Sequence, residues 1–542
     1  MAHGVRRTLS ALVAMLMLAA CSQPVGDVTG GSTAAPADAD QTGDAADGGE
    51  AGDGGELTIA IAEEPDDLDP TLARTLVGRM VFINMCEKLY DVDADLELVP
   101  QLAAELPEVS DDGTTVTIPL RSDITFNDGT PFDAEAVRQS LERHMTMEGS
   151  SRASELSQVE AVEVVDETTV ELTLSEPFTA LPSILADRSG MIMSPQALDE
   201  LGEDFGENPV CVGPFQFVER QAQDRIVLER ADDYYDADQV KLDRITYRII
   251  TDANVRTANL RSGDIDMAER IATTDVDEIE SDDALQLFTA TSIGYQGITI
   301  NIGNANGIAE APQQLDTPLA SDPRVREAFE LAIDREALNE VVFDGRFTPG
   351  CSPISPNSPY ADPDLQCPGR DVDQARTLLR EAGQEGLAVE LVHGNDPVNQ
   401  RQAEVVQQMA NEAGFEVSLQ PTEFTTALDE TDAGNYETFQ IGWSGRVDPD
   451  GNIHAFHHTD GSLNISKASD PEIDDLLDQT RAESDEEARR ELFNQLVDTL
   501  RERRNIIYLY HQNLFVGAKR SVTGFEFYGD GLPRLKTAGF SE

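Results

Sequence analysis

The apolar residues of this chain change their spacing twice along the sequence, and this pattern constrains the fold more than any other feature. Up to about residue 303, short alternating runs predict strands with a few inserted helices, one of them at 134–144 with Asp133 as its N-cap. From there to residue 505, helical spacing alternates with strands, and 506–518 (IIYLYHQNLFVGA) returns to extended character. The chain is therefore predicted to leave a β-rich lobe, build an α/β lobe and come back.

The second lobe is predicted to contain parallel strands. Residues 387–392 and 415–420 have the composition of strands, and 398–413 between them has helical spacing, so the three segments predict a βαβ unit. A further strand is predicted at 436–443, and the segment 444–458 follows its carboxyl end. In α/β sheets, ligands bind at the carboxyl ends of strands, so this segment is a candidate binding site.

Four further helices are predicted in the second lobe, one of them at 373–382 before Gly383. Residues 322–344 predict one helix, because Asp322 is a suitable N-cap, Pro323 follows at the first helical position and Gly345 ends the pattern. Two long helices are predicted near the end of the lobe, at 471–483 and 485–504.

The N-terminus has the pattern of an export signal. Arg6 and Arg7 precede an apolar run of twelve residues at 9–20, which is too short to span a bilayer as a mature helix. The run ends in Leu-Ala-Ala-Cys21, which resembles the lipobox of bacterial lipoproteins and predicts a signal peptide at 1–20 and lipidation of Cys21. An ordinary secretory signal is the alternative. Residues 21–56 are rich in Gly, Ala and acids and predict a disordered tether.

Composition limits the partners of the chain. With 39 Lys and Arg against 102 Asp and Glu, the formal net charge is −63. Binding to nucleic acid or to anionic lipid headgroups requires clustered cations, so neither is expected.

Four cysteines remain if Cys21 is lipidated. An even number in an exported chain predicts two disulfides, and three pairings are possible. Cys351 and Cys367 close a short Pro-rich loop and form the natural local pair, which leaves Cys86–Cys211. Four buried thiols are the alternative.

Searches for catalytic motifs find no HExxH, G-x-S-x-G or CxxC pattern, and no cofactor is predicted. His454, His457 and His458 are the best metal candidates, and His454 and His458 would share a face if their segment were helical. Gly451 and Gly461 favour a loop there, and histidines satisfied in the core or exposed are the alternative. A secreted hydrolase or a structural lipoprotein is a lesser alternative for the whole chain.

Several segments together resemble the extracytoplasmic solute-binding proteins of ABC importers, family 5, which take up oligopeptides, dipeptides and nickel complexes. The resemblance covers nearly all of residues 57–540 and lies in these segments: 63–70 (EEPDDLDP), 86–103 (CEKLYDVDADLELVPQLA), 109–137, 208–217 (NPVCVGPFQF), 260–268 (LRSGDIDMA) and 321–338 (SDPRVREAFELAIDREAL).

The resemblance implies an α/β fold with two lobes that close like a clamp, a type II periplasmic-binding-protein architecture with a subdomain inserted in lobe I. The implied boundaries are lobe I at 57–98, 207–300 and 506–542, the inserted subdomain at 99–206 and lobe II at 301–505. The hinge is expected near 293–302 and 505–509.

The resemblance also places the segment after Trp443 in the cleft, including Ser444. Peptide-binding members carry an aspartate there for the ligand's α-ammonium, and Arg446 stands at about that position here. A guanidinium favours a carboxylate, so Arg446 is either a ligand contact or a structural ion pair. Asp448 either binds an ammonium or neutralises Arg446. Trp443 is either a pocket wall or part of the core.

Two further residues are implied at the cleft, Glu87 by the resemblance and Tyr295 beside the expected hinge. The implied function is binding without chemistry: a monomer captures a peptide or peptide-like solute and passes it to a membrane permease with ATPase subunits. A nickel or other metal chelate is the second ligand class. The expected location is the outer face of the cell membrane, with attachment only through the lipid.

Overall fold

The computed structural model describes residues 52–541, and two central sheets divide this part of the chain into two lobes. We call lobe I the part formed by 52–291 and 513–541, and lobe II the part formed by 295–511. The predicted signal peptide, Cys21 and residues 22–51 of the predicted tether lie outside the described residues. No helix between residues 52 and 541 is long and apolar enough to span a bilayer.

Lobe I is built on a mixed sheet of seven strands. Its first strand, Glu56–Ile61, pairs in parallel with Arg244–Ile249 on one side and with Met267–Ala268 on the other, and the remaining pairs are antiparallel. The strands in spatial order are Leu285–Thr291, Asn513–Lys519, Met267–Ala268, Glu56–Ile61, Arg244–Ile249, Arg225–Arg230 and Phe215–Gln221.

A second, four-stranded antiparallel sheet lies within the segment predicted as the inserted subdomain. In spatial order its strands are Glu108–Val109, Thr115–Pro119, Thr169–Leu174 and Val159–Asp166. The predicted helix is confirmed at Ala134–Thr146, where the Asp133 side chain accepts from the Ala136 N–H. One apolar core runs from this sheet into the main sheet of lobe I, so the insert packs as part of that lobe.

Lobe II is built on a sheet of six strands, and the predicted βαβ unit is confirmed in it. Strand Ala388–Gly394 pairs in parallel with Glu416–Thr422, and helix Pro397–Glu412 connects them. In spatial order the strands are Thr348–Pro349, Ile506–His511, Tyr295–Ile300, Thr438–Trp443, Ala388–Gly394 and Glu416–Thr422.

Fifteen α-helices and three two-stranded ribbons complete the described chain. The helices of lobe I are Leu76–Phe82, Ala134–Thr146, Leu181–Ile184, Pro195–Leu201, Ala253–Ser262 and Val276–Glu280. The helices of lobe II are Pro318–Ser321, Pro323–Ala332, Arg335–Phe343, Val372–Ala382, Pro397–Glu412, Phe424–Asp432, Asp450–His457, Pro471–Ala482 and Glu486–Arg503. The ribbons pair Tyr90–Val92 with Leu98–Pro100, Val522–Thr523 with Gly539–Phe540, and Glu526–Phe527 with Pro533–Arg534.

The chain crosses between the lobes at 292–294 and at Gln512. Strands Tyr295–Ile300 and Ile506–His511 therefore belong to the sheet of lobe II, whereas the sequence boundaries put both of them entirely in lobe I. The difference arises because 506–518 is one continuous extended run, and its composition does not show that it changes sheets in the middle.

Two local predictions are wrong. The helix predicted at 322–344 is two helices, because Ile333 is extended (φ −93°, ψ 128°) and Asp334 caps the second one by accepting from Ala337 N–H. The end of the predicted tether is bound to the body: Gly52 N–H donates to the Phe540 carbonyl at 2.9 Å, and a strand begins at Glu56. Backbone pairing needs no side chain, so Gly-rich composition does not reveal it.

Both cysteine pairs named above are disulfide-bonded. Cys86–Cys211 joins the two segments of lobe I that flank the insert, with a Cα–Cα distance of 4.9 Å, and Cys351–Cys367 closes a loop within lobe II.

We expect the two disulfides to differ in their contribution to stability. Their sequence separations are 125 and 16 residues. Loop-closure entropy assigns about 3 kcal/mol to a 15-residue loop and about 4.7 kcal/mol to a 100-residue loop. The free energy of unfolding, measured in urea, should therefore fall further for Cys86→Ala/Cys211→Ala than for Cys351→Ala/Cys367→Ala. An equal or reversed order would contradict the entropic account.

Candidate ligand-binding cavity between the lobes

A cavity of about 590 Å³ lies between the lobes. This volume is within the range of small-molecule sites, roughly 300–1,000 Å³. Three of its lining residues mark the carboxyl ends of strands: Ala62 follows Glu56–Ile61 in lobe I, while Gly394 and Trp443 end strands of lobe II. The cavity therefore lies where α/β sheets place their ligands.

Two ion pairs lie in the cavity wall. Arg74 of lobe I donates to Asp432 of lobe II at 2.5 Å, so this pair joins the lobes. Arg270 donates to Glu63 at 2.5 Å within lobe I. Burial raises the pKa of the Glu63 carboxyl, although the Arg270 guanidinium opposes the shift. Burial likewise raises the pKa of the Asp432 carboxyl against the effect of Arg74.

Arg270 has a backbone conformation that is unusual for a residue with a side chain. Its φ of 48° lies in the left-handed region. Buried Arg256 holds this turn in place: its guanidinium donates to the main-chain carbonyls of Glu269 at 3.1 Å and of Arg270 at 2.8 Å. The result is that the Arg270 side chain, 36% exposed, lines the cavity. Strain of this kind clusters at functional sites.

Five buried side-chain atoms of cavity-lining residues have no hydrogen-bond partner within residues 52–541. They are the Tyr295 hydroxyl, Gln402 Nε2, Gln440 Oε1, Asp432 Oδ1 and Ser466 Oγ. Buried polar groups are nearly always paired, so the residues around the cavity keep unused hydrogen-bonding capacity.

Trp443, the single tryptophan of the chain, belongs both to the cavity wall and to a small apolar cluster. It is 8% exposed, and its Nε1 donates to the Gly451 carbonyl at 3.0 Å. Phe456 packs edge-on at 4.8 Å between centroids, and the Arg446 guanidinium lies over the ring at 4.3 Å. The two interpretations of Trp443, wall and core, thus describe two faces of one side chain. Tyr295, packed against Tyr508 at 4.9 Å, also lines the cavity.

Arg446 pairs with Asp187, which lies in the insert of lobe I. Arg79 of lobe I donates to the same carboxylate at 3.2 Å and to the Ser444 hydroxyl at 3.1 Å. Burial alone would raise the pKa of the Asp187 carboxyl, but Arg446, Arg79 and Arg188 outweigh it and hold that pKa well below its usual value. The segment after Trp443 is therefore fixed to lobe I through charges, and the charge of Arg446 is used inside the protein.

Asp448 is likewise paired within the protein. Its two oxygens accept from Arg489 at 2.6 and 2.8 Å, and neighbouring Asp450 holds Arg481 in the same way at 2.6 and 2.9 Å. These bidentate pairs tie the segment after Trp443 to the last two helices of lobe II.

Glu87 lies in lobe I, apart from the residues that line the cavity. Its carboxyl group is 4% exposed and accepts from the Tyr234 hydroxyl at 2.5 Å and from the Tyr235 hydroxyl at 3.0 Å. Burial raises the pKa of Glu87 to about 7, although the two hydroxyls lower it.

The segment with the histidines is a short helix, Asp450–His457, and not the predicted loop. His454 and His458 therefore stack with parallel rings, 4.6 Å between centroids. His457 points elsewhere and bonds the Tyr508 hydroxyl through Nε2 at 2.7 Å. None of the three is among the described residues that line the cavity.

Sequence analysis missed Arg270, Asp432, Gln402 and Gln440. Arg270 lies two residues beyond the segment 260–268, and nothing in its local composition marks it as strained. The two glutamines and Asp432 lie on ordinary amphipathic elements, so no periodic pattern distinguishes them from surface residues.

A family model described as "Bacterial extracellular solute-binding proteins, family 5 Middle" matches residues 97–464, more than half of the chain. The chain belongs to this family. It is thus an extracytoplasmic solute-binding component of an ABC importer, and the two-lobed fold implied by the resemblance is confirmed.

Individual relatives agree. The glutathione-binding protein GsiB of Salmonella paratyphi A is 29% identical over 483 residues, which are 87% of this chain and 91% of that protein. The binding protein AgaA from A. tumefaciens R10, solved with agropinic acid, is 27% identical with a TM-score of 0.80, covering 90% of this chain and 99% of AgaA. DppA from Helicobacter pylori, solved with the peptide STSA, shares the fold at 21% identity and a TM-score of 0.81, with the same coverage.

The Glu87 carboxyl predicts a pH-dependent stability. Its pKa is about 7 in the folded protein against 4.5 as reference, so protonated Glu87 stabilises the fold at low pH and this contribution disappears as pH rises through 7. In the wild type, this group should lower the free energy of unfolding by roughly 3 kcal/mol between pH 4.5 and pH 8, at about 1.4 kcal/mol per unit of pKa shift. In Glu87→Gln this decline should be absent. Urea denaturation at several pH values measures this.

Glu97→Gln is the matched control, because Glu97 is exposed in the same lobe. It should keep the wild-type pH dependence. If the free energy of unfolding depends on pH in the same way in wild type and Glu87→Gln, the pKa of Glu87 is the same in the folded and the unfolded protein.

Proposed function

We propose that this protein captures a peptide or peptide-like solute between its lobes and delivers it to a membrane permease driven by ATPase subunits. The observation that carries the proposal is a cavity built jointly by both lobes, with the Arg74–Asp432 pair across its wall. A solute in this cavity contacts both lobes at once. Its binding therefore favours the closed arrangement over the open one, which is the differential affinity that a transport clamp needs.

The chemistry of the wall supports the peptide class. Gln402 and Gln440 line the cavity, and a side-chain amide has the donor and the acceptor that complement a peptide group. Arg270 and Asp432 each have a charged partner, but their side chains are 36% and 26% exposed, so they can also approach a carboxylate and an ammonium of the solute. GsiB is named for glutathione, a peptide, and the DppA structure contains a peptide, which agrees with this class.

A nickel chelate is not favoured as the solute. The NikA structure from Staphylococcus aureus was solved with Ni(L-His)2, and it resembles this chain at 21% identity, which concerns the fold alone. The described residues that line the cavity of this chain include neither histidine nor cysteine. A bound metal would have no imidazole or thiolate of this protein as a ligand there.

We further propose that the protein acts as a monomer without a chemical step, attached to the outer face of the membrane through lipid on Cys21. The lipobox pattern and the extracytoplasmic function of the family support this attachment.

Native mass spectrometry of the protein purified without denaturation from its own host tests the proposal. We expect a co-purified peptide or peptide-like solute at one per chain, and unchanged solute mass after prolonged incubation. Glutathione and a randomised tripeptide pool serve as added probes for protein that arrives empty. Retention of no peptide from any of these sources would contradict the ligand class, and progressive cleavage would contradict binding without turnover.

The Arg446–Asp187 pair predicts a mutation that weakens closure. Arg446→Met leaves the Asp187 carboxylate buried in the closed arrangement without this partner, and an unsatisfied buried polar group costs roughly 1–3 kcal/mol, more when it is charged. We therefore expect the Kd for a bound solute to rise about 10- to 100-fold. Emission of Trp443, the single tryptophan, reports the titration, because its ring lines the cavity.

Arg490→Met is the control, because its partner Glu486 is exposed on the same helix. It should bind like wild type. Equal Kd values for wild type and Arg446→Met would remove Arg446 from the closure mechanism.

A further inference from the structure

Lobe II carries a group of imidazoles and carboxylates that the cavity does not use. We call it the His454 cluster: His454, His458, Asp474 and Asp478. The two histidines lie one turn apart at helix Asp450–His457 and its C-cap, and the two aspartates lie one turn apart on the facing helix, Pro471–Ala482. None of the four is among the described residues that line the cavity.

The distances within the cluster suit an ion and not hydrogen bonds. One ring nitrogen each of His454 and His458 and a carboxylate oxygen of Asp478 all lie within 4.8 Å of one another. His458 Nε2 is 4.0 Å from an Asp474 oxygen and 3.9 Å from an Asp478 oxygen. These gaps are too long for hydrogen bonds. A tetrahedral zinc ion with bonds of roughly 2.0–2.2 Å sets its ligand atoms about 3.4 Å apart, so the side chains need to move together by about half an ångström to hold one ion.

His454 offers an unpaired ring nitrogen. It is 3% exposed, and its Nδ1 has no hydrogen-bond partner within the described chain. Imidazole is a common metal ligand in proteins. Arg481, near His454, is held by both oxygens of Asp450, so its charge is neutralised there.

The surroundings of the cluster fix one carboxylate. Asp474 accepts from the Thr459 main-chain N–H at 2.8 Å and from the Thr459 hydroxyl at 2.7 Å. Hydrogen bonds of this kind orient metal ligands in known sites. Asp478 is exposed, which leaves the cluster open to solvent and gives an ion a path of entry.

We infer that His454, His458 and Asp478 form a site for one divalent transition-metal ion of the Zn²⁺ type, with Asp474 or water as the fourth ligand. Two imidazoles and one carboxylate favour such an ion over Mg²⁺ or Ca²⁺, which prefer sets composed of oxygen alone. The ion is a resident of lobe II and not the transported solute. The site is thus independent of the function proposed above.

Binding requires two small rearrangements. The stacked rings rotate about their Cβ–Cγ bonds so that both nitrogens face one ion. His458 Nδ1 accepts from the Asp460 N–H at 3.1 Å, so in the neutral ring the proton is on Nε2. Coordination through Nε2 moves this proton to Nδ1, and the exposed Asp460 segment turns its N–H to water. The exchange costs one hydrogen bond and accompanies metal binding.

The position of the cluster gives the ion a structural effect. Helix Asp450–His457 supplies Phe456 to the cavity wall, and its Gly451 carbonyl accepts from Trp443 Nε1. An ion shared with Asp478 would join this helix to Pro471–Ala482. It would thereby stabilise the part of lobe II that carries the tryptophan.

Calorimetric titration of the purified full chain, stripped with EDTA, with ZnCl2 tests the site. We expect one saturable Zn²⁺ per chain, at least 10-fold weaker binding in both Asp478→Asn and His458→Asn, and wild-type binding in Asp475→Asn. Asp475 is exposed on the same helix and is the matched control. MgCl2 should not compete, and Co²⁺ should give the visible absorption of a tetrahedral nitrogen–oxygen site.

Asp478 and Asp475 are exposed, whereas the His458 side chain is 17% exposed. Thermal unfolding in EDTA should therefore match wild type for Asp478→Asn and Asp475→Asn, and these two variants carry the comparison. Absence of saturable Zn²⁺ binding in wild type would overturn the proposal. So would unchanged binding in both test variants, or equal competition by Mg²⁺, which would indicate adsorption to surface acids.

Discussion

All movement of one lobe against the other passes through two chain crossings that lie side by side. Residues 292–294 and Gln512 form them, and the Ser292 N–H donates to the Gln512 carbonyl at 2.9 Å. Both crossings continue directly into paired strands of lobe II. The lobes therefore move as bodies about this joint, and Ser292 and Gln512 line the cavity beside it. The position of the cavity follows from the joint.

Charge then decides how the lobes meet. Asp187 from lobe I receives Arg446 from lobe II and Arg79 from its own lobe, and all three are almost fully buried. A buried ion pair contributes little compared with apolar packing, but an unpaired buried charge is costly. When the lobes separate, water replaces each partner. The intact pair by itself therefore contributes little to the difference in free energy between the closed and the open arrangement. Such contacts fix the register of closure and leave the ligand to supply the difference in free energy between the two states.

Sequence pattern predicted the parts of this protein that depend on local spacing. The βαβ unit of lobe II and the strand that ends at Trp443 follow from apolar periodicity, and strand ends then locate the cavity. Contacts between the lobes follow from no such pattern: Arg446 looked available for a ligand because its partner, Asp187, lies in another lobe. The helix around His454 was missed for a different reason. Gly451 disfavours a helix locally, but the bonds of Asp450 to Arg481 hold it in place.

The disulfide at the base of the insert has a consequence for how proteins of this kind diversify. The Cys86–Cys211 bond brings the two segments that flank the insert to 4.9 Å between Cα atoms, a distance that a short turn can span. The segment between the two cysteines is thus held together at its base by the disulfide. It contributes Asp187 to the contact between the lobes, whereas the cavity wall is built from other segments. Exchange of this segment changes the contact through Asp187, and with it the free energy of closure, without changing the residues that decide which solute fits the cavity.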